Sequence, residues 1–466
     1  MTISNTLSTR LRCWPDYRTV WRWHFYAGLF CIPFVVFLAL TGSIYLFKPQ
    51  IESYLDRPYD HLPIQGPRVT PTQEVQAALA SFPGSTFTAY ELPPSPNSAG
   101  RVLLQSKGQI LRVYVHPQNL KILSSTPENS RLMKVIFRLH GELLMGNTGS
   151  YVVELAASWA ILMILSGLYL WWPRNIQGLG GVVYPRLTRG SRVFWRDLHS
   201  VIGVWVSAFA LFLLLTGLPW AKFWGSYFKA ARHLAGTTLV HQDWTNGSTQ
   251  IAGMSDDDVS GHMEHGGSSS HAHHHAMKMN LDGLDQVVAA VAPRNLAPPV
   301  WIATTANGQW TAKSLSDDRP QRTDLVLNAS GTILTQSDFR QRPLTDRLIG
   351  AGIAAHEGQL FGWPNQLLGL LTAIGLIMLS VSAVVLWWRR RDQGVLGAPT
   401  GSPSPKLALS FWVLLLLIAV YLPLFGISLI LVLLVERWAL RRIPFASQWL
   451  GLAVAIPGSG RQSITG

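Results

Sequence analysis

Long apolar runs alternate with mixed polar stretches along the 466 residues of this chain. Four runs, 23–47, 150–172, 198–222 and 364–388, reach the roughly 20 apolar residues that a helix needs to cross a bilayer core. A fifth, 407–435, is interrupted by Pro423 and Gly426, which predicts a hairpin of two short hydrophobic segments. The two long intervening stretches have another rhythm. Within 48–149, TPTQEVQAALASF predicts a helix, and FTAYEL, RVLLQS and LRVYVHPQNLKILSS predict strands. Within 223–363, DGLDQVVAAVA predicts a helix, and VWIATT, QWTAKSL and TDLVLNASGTILTQS predict strands. Polar–apolar alternation broken by turn residues is the signature of paired antiparallel strands. The predicted fold class is therefore an α-helical multi-span membrane protein with two pseudo-repeated halves. Each half has two transmembrane helices flanking a small α+β external module, and a C-terminal hydrophobic hairpin follows.

Four histidines keep their place in this repeat. His24 opens HFYAGLFCIPFVVFLALTG and His199 opens HSVIGVWVSAFALFLLLTG, each with glycine four residues on (Gly28, Gly203) and Thr-Gly near the end. His140 begins HGELLMG and His356 begins HEGQLFG, each followed 31 and 32 residues later by a Trp-Trp pair. Histidine held in register through an internal repeat points to metal or cofactor ligation.

Composition narrows the class. With 48% hydrophobic and 14% charged residues, the chain is too apolar for an ordinary soluble enzyme. The first run is too long for the apolar core of a cleaved signal, and no small-residue cleavage site follows it. The formal charge of +13 raises nucleic acid as a partner, but its placement argues against one. Arg10, Arg12, Arg18 and Arg22 precede the first span. Arg174, Arg186, Arg189, Arg192 and Arg196 fill the short loop 173–197. Arg389, Arg390, Arg391 and Lys406 lie in 389–406, and Arg437, Arg441 and Arg442 open 436–466. Short basic segments on alternate sides follow the positive-inside rule. They predict a cytoplasmic N-terminus (1–22), a cytoplasmic C-terminus and both long loops outside, which in a bacterial inner membrane means the periplasm.

The two cysteines, Cys13 and Cys31, fall before and within the first span, so neither staples an external module. C-x-x-C-H is absent, as are cysteine sets for an iron–sulfur cluster and a G-x-G-x-x-G fingerprint. A haem in this chain would be b-type, held by histidine alone. Topology decides which histidines can meet. His24 and His199 fall at the cytoplasmic ends of spans and His140 and His356 at external ends, and a ~30 Å hydrocarbon core separates the two sets. The expected ligand pairs are His24 with His199 and His140 with His356, one non-covalent bis-His haem near each face. Gly28 and Gly203 would let a flat macrocycle approach the backbone or, equally, let helices approach each other. Arg22, Arg196, Arg138 and Arg347 are candidate propionate partners, although Arg22 and Arg196 also serve the positive-inside rule. Glu154 is the carboxylate at depth in the second span, either functional or interfacial.

The stretch 241–280 is a polar insert of low complexity. His262, Met263, His265, His271, His273, His274, His275, Met277 and Met279 form a candidate metal-binding set there, joined by Glu264. Imidazole and thioether together suit copper or another transition metal; a polar linker is the alternative.

Several of these motifs resemble the PepSY-associated transmembrane-helix family: Trp23-His24, Leu-His-Gly-Glu-Leu at 139–143, Arg-Asp-Leu-His at 196–199 and His-Glu-Gly at 356–358. The resemblance extends over about 18–392, and its members include iron-regulated inner-membrane proteins and periplasmic ferric-siderophore reductases. It implies a PepSY fold for both external modules and a di-haem transmembrane core. The expected function is haem-dependent transmembrane metalloreduction, with electrons from quinol or a cytoplasmic reductase delivered to a ferric-siderophore or another metal chelate. Two alternatives stand beside it: periplasmic copper binding and reduction through the His/Met insert, and a haem-free membrane anchor that binds or senses a periplasmic protein.

Overall fold

A computed structural model describes residues 16–173, 178–236, 281–305, 307–399 and 409–452. The chain divides into two compact units. One is formed by Met1–Gly42, His140–Thr238 and Leu370–Gly466, the other by Ser43–Leu139 and Leu239–Gly369.

In chain order the first half begins with helices Tyr17–Tyr45 (α1), Lys48–Asp60 (α2) and Pro71–Ser81 (α3). Strands Thr86–Glu91 (β1), Gly100–Ser106 (β2), Gln109–Val115 (β3) and Ile122–Pro127 (β4) follow, then helices Leu132–Glu142 (α4) and Gly146–Trp171 (α5). The second half contains Ser191–Gly217 (α6), Lys222–Leu234 (α7) and Leu284–Val291 (α8). Its strands are Val300–Thr304 (β5), Trp310–Ser314 (β6), Thr323–Leu327 (β7) and Ile333–Asp338 (β8). It ends with Leu344–His356 (α9) and Trp363–Arg390 (α10), and the hairpin region supplies Leu409–Tyr421 (α11), Pro423–Val435 (α12) and Pro444–Trp449 (α13).

Among the described residues, five helices are long and apolar enough to cross a bilayer: Tyr17–Tyr45, Gly146–Trp171, Ser191–Trp220, Trp363–Arg390 and Pro423–Leu440. Their outward faces carry exposed Leu, Ile, Val and Phe, which the hydrocarbon core of a bilayer would cover favourably. The architecture is that of a multi-span membrane protein with a separate antiparallel sheet. The expected hairpin forms because Pro423 cannot continue α11 but is well suited to start α12. Gly426 lets the two helices close up, since a Cβ there would lie 3.0 Å from Ala419 Cβ. The hairpin packs inward on α5: Trp159 donates its indole N–H to Ser428 Oγ at 3.0 Å and meets the Phe425 ring edge-on at 5.0 Å.

The sheet belongs to the other unit. One α+β module was expected in each half, and the strands of the two halves join in one continuous eight-stranded sheet in the order β4-β3-β2-β1-β5-β6-β7-β8. Each set of four is an antiparallel meander, and the two meet through β1 and β5, with Tyr90 opposite Ile302 and Glu91 opposite Trp301. An edge strand presents unpaired backbone groups, and here the two edges satisfy each other. Helices α3 and α8 cover one face, where Val75, Ala78, Val287 and Val291 join Val102, Leu104, Val113, Ile302 and Leu325 in the core. Helix α3 starts at a capping box in which Thr70 and Gln73 bond reciprocally, worth about 1 kcal/mol. The opposite face buries charge. Arg112 bonds Glu91 at 2.7 Å and Glu128 at 2.8 Å, while Arg101 bonds Glu91 at 3.1 Å and Asp60 at 2.8 Å. The indole N–H of Trp301 also donates to Glu91, at 3.0 Å. Glu91 thus gathers three donors at the seam where the two meanders join.

Candidate functional site

His24 lies on α1 and His199 on α6, and their rings come together. The centroids are 6.4 Å apart and the planes are crossed at 80°. Each ring is fastened to a further helix by its Nδ1. For His24 the partners are the Met163 carbonyl and Ser166 Oγ of α5, both at 3.0 Å. For His199 they are the Leu379 carbonyl at 3.2 Å and Ser382 Oγ at 3.1 Å on α10. A carbonyl oxygen can only accept, so each Nδ1 carries the proton and each Nε2 keeps its lone pair. Neutral imidazole in this tautomer, oriented by a bond from its other nitrogen, is a prepared metal ligand.

The arrangement passes a simple test of fit to haem iron. A metal–imidazole nitrogen bond is about 2 Å and the ring centre lies about 1 Å behind that nitrogen, so two imidazoles on opposite sides of one ion have centres roughly 6 Å apart. The observed 6.4 Å matches this spacing.

His140, on α4, is fastened in the same manner but by a different helix. Thr41 Oγ1 of α1 lies 3.0 Å from its Nδ1. The same hydroxyl lies within bonding distance of the carbonyls of Phe37 at 2.9 Å and Leu38 at 3.3 Å. His356 is the last residue of α9, in the unit that contains the sheet.

The other expected residues fall as follows. A Cβ at Gly28 would meet only Met163 Sδ, at 3.9 Å, and one at Gly203 only Leu379 Cδ1, at 3.4 Å. Arg22 bonds Tyr26 Oη at 3.3 Å and the Pro399 carbonyl at 3.5 Å. Arg196 is engaged with Asp197 at 3.0 Å, and Asp197 also takes Arg186 at 2.7 Å, which pins the basic loop before α6. Arg138 is half-buried on α4 and Arg347 is exposed on α9. Glu154 is buried and accepts the backbone N–H groups of Phe223 and Trp224; it caps the start of α7. His262, Met263, Glu264, His265, His271, His273, His274, His275, Met277 and Met279 lie outside the described residues.

Sequence reasoning missed the residues that hold the rings. Ser166 and Ser382 each stand 26 residues after a repeat histidine, His140 and His356, and that shared offset was the available signal. Gly167 and Gly42 were also unassigned. A Cβ at Gly167 would sit 3.1 Å from His24 Cε1, and one at Gly42 would sit 3.2 Å from His140 Cε1. Each glycine therefore provides the flat wall against which an imidazole rests. Arg390 was counted only as a topological charge, but its guanidinium stacks 5.0 Å from the Trp21 ring and 5.3 Å from Phe25, beside the His24 turn of α1.

No curated protein matches the chain. The family model described as the PepSY-associated TM region matches residues 21–390. That match takes in all four repeat histidines, the sheet and four of the five long apolar helices, so the chain belongs to the PepSY-associated TM region family.

Proposed function

We propose that this protein is a bacterial inner-membrane electron carrier with two b-type haems, which reduces a ferric-siderophore or other Fe(III) chelate outside the membrane and releases Fe(II). The observation that carries this reading is the crossed pair His24 and His199, 6.4 Å apart with each Nδ1 tied to a neighbouring helix. Bound haem supplies a reversible one-electron couple, and each Fe(III) acceptor takes one electron.

The chain's own residues do the rest. His24 and His199 would hold one haem, and ligation by two histidines would suit that haem to electron transfer. By the pairing that the sequence repeat suggests, His140 and His356 would be the ligands of the second. Arg22, Arg196, Arg138 and Arg347 remain the proposed propionate partners. Electrons enter from quinol or a cytoplasmic reductase at the face where the arginines cluster, which is the cytoplasmic side by the positive-inside rule. The reading of the chain as two copies of one unit is supported by the mirrored strand order. It is also supported by the matched sets His24–Met163–Ser166 and His199–Leu379–Ser382.

The test is direct. Detergent-purified protein is reduced with dithionite, freed of excess reductant and mixed with a ferric chelate in a stopped-flow cell. Haem reoxidation with matching Fe(II) release is expected. Haem that stays reduced beside excess Fe(III) chelate would refute the reductase assignment.

A further inference from the structure

We propose that Ser166 and Ser382 are positioning residues that keep His24 and His199 Nδ1-protonated and hold their rings crossed, and thereby set the electronic state of the iron between them. The inference rests on the proposed ligation of one haem by this histidine pair.

Each serine spends its own proton within its helix: Ser166 donates to the Met163 carbonyl at 2.9 Å and Ser382 to the Leu379 carbonyl at 2.8 Å. The hydroxyl oxygen then meets the ring only as an acceptor. Every Nδ1 thus faces two acceptors, a carbonyl and a hydroxyl three residues apart on one helical turn. The opposite tautomer would turn a lone pair toward both, so the proton stays on Nδ1 and the lone pair on Nε2. Two acceptors also fix the plane of the ring, which a single one would leave free to swivel. Because α5 holds one ring and α10 the other, the planes stand at 80°. With both rings bound to one iron, crossed planes would leave its π-type d orbitals nearly equal in energy, whereas parallel planes would split them. Acceptors pulling on Nδ1–H give each ring imidazolate character, which favours ferric iron and lowers the potential.

The experiment uses the full-length protein in detergent, with ferric EPR spectra and redox potentiometry. The variants are Ser166→Ala, Ser382→Ala, their double, the two Ser→Thr versions, and Ser158→Ala as a control. Ser158 is also on α5, and among the described residues its hydroxyl bonds the Glu154 carbonyl alone. Wild type is expected to show a strongly anisotropic low-spin signal from crossed imidazoles. Each Ser→Ala change should move one signal toward the rhombic type and raise the midpoint potential of that centre, more so in the double variant. Ser→Thr should restore both, and Ser158→Ala should leave both unchanged. An unaltered signal and midpoint in the double variant would overturn the inference while leaving the haem assignment standing. Equal haem loss from the Ala and Thr versions would overturn it too, because the hydroxyl would then not be what matters. A wild-type protein without haem would instead fail the proposed function itself.

Discussion

Glu128→Gln should loosen the first meander of the sheet by about 3 kcal/mol, a value that follows from where this carboxylate sits. Glu128 and Arg112 are both 2% exposed, and they bond at 2.8 Å. Burial alone would raise the carboxyl pKa, but the Arg112 guanidinium outweighs it, with help from Arg131 at 3.5 Å, and holds it at about 2 instead of 4.5. At 1.36 kcal/mol per unit this corresponds to about 3 kcal/mol of native stabilisation, in line with the roughly 3–5 kcal/mol lost when a buried pair is broken. Because the folded pKa is depressed, the contribution is complete above about 4.5 and disappears as the pH falls toward 2. The assay is hydrogen–deuterium exchange of the β3 and β4 amides, corrected for intrinsic rates. At neutral pH the variant should exchange roughly a hundredfold faster. Between pH 4.5 and 2, wild type should lose protection and the variant should change little. Equal protection at neutral pH, or parallel pH profiles, would refute the argument that this ion pair is a net stabiliser.

Glu154→Ala removes the acceptor for the first N–H groups of α7, and exchange there should rise roughly thirtyfold for a cap worth about 2 kcal/mol. Gly167→Val should lower haem content at the His24–His199 pair by crowding His24, and Gly42→Val should act on the His140 haem alone; haem per chain in each purified variant decides this. Deleting 241–280 should leave ferric-chelate reduction at the wild-type rate, and a fall in that rate would draw the His/Met insert into the iron pathway.

The repeat was legible because it is written as fixed offsets: histidine to Thr-Gly, histidine to Trp-Trp. The sheet strands were legible from alternation, and HPQN and NASG marked the last hairpin in each meander. The junction of β1 with β5 was not. It rests on backbone bonds between two edge strands and on buried partners such as Glu91 and Trp301, which carry no periodic signal. Helix α2 was hidden in a polar stretch, KPQIESYLDRPYD, because its amphipathic pattern is short and its Asp56 and Asp60 answer Arg101, 45 and 41 residues on. Glu154 looked anomalous as a charge at depth, and only the fold shows that it caps the helix after the third span. The grip on the histidines escaped notice for a similar reason: a serine in an apolar helix usually bonds its own backbone, and these two do so while also accepting from a ring.

The central claim is that His24 and His199 share one haem. Its most direct test is a pyridine haemochrome count on wild type, His24→Ala, His199→Ala and the double variant, all purified from haem-replete cells. The account predicts two b-type haems in wild type and loss of the same one in either single variant, with no further loss in the double. A colourless wild type, or losses from the two single variants that add in the double, would contradict it.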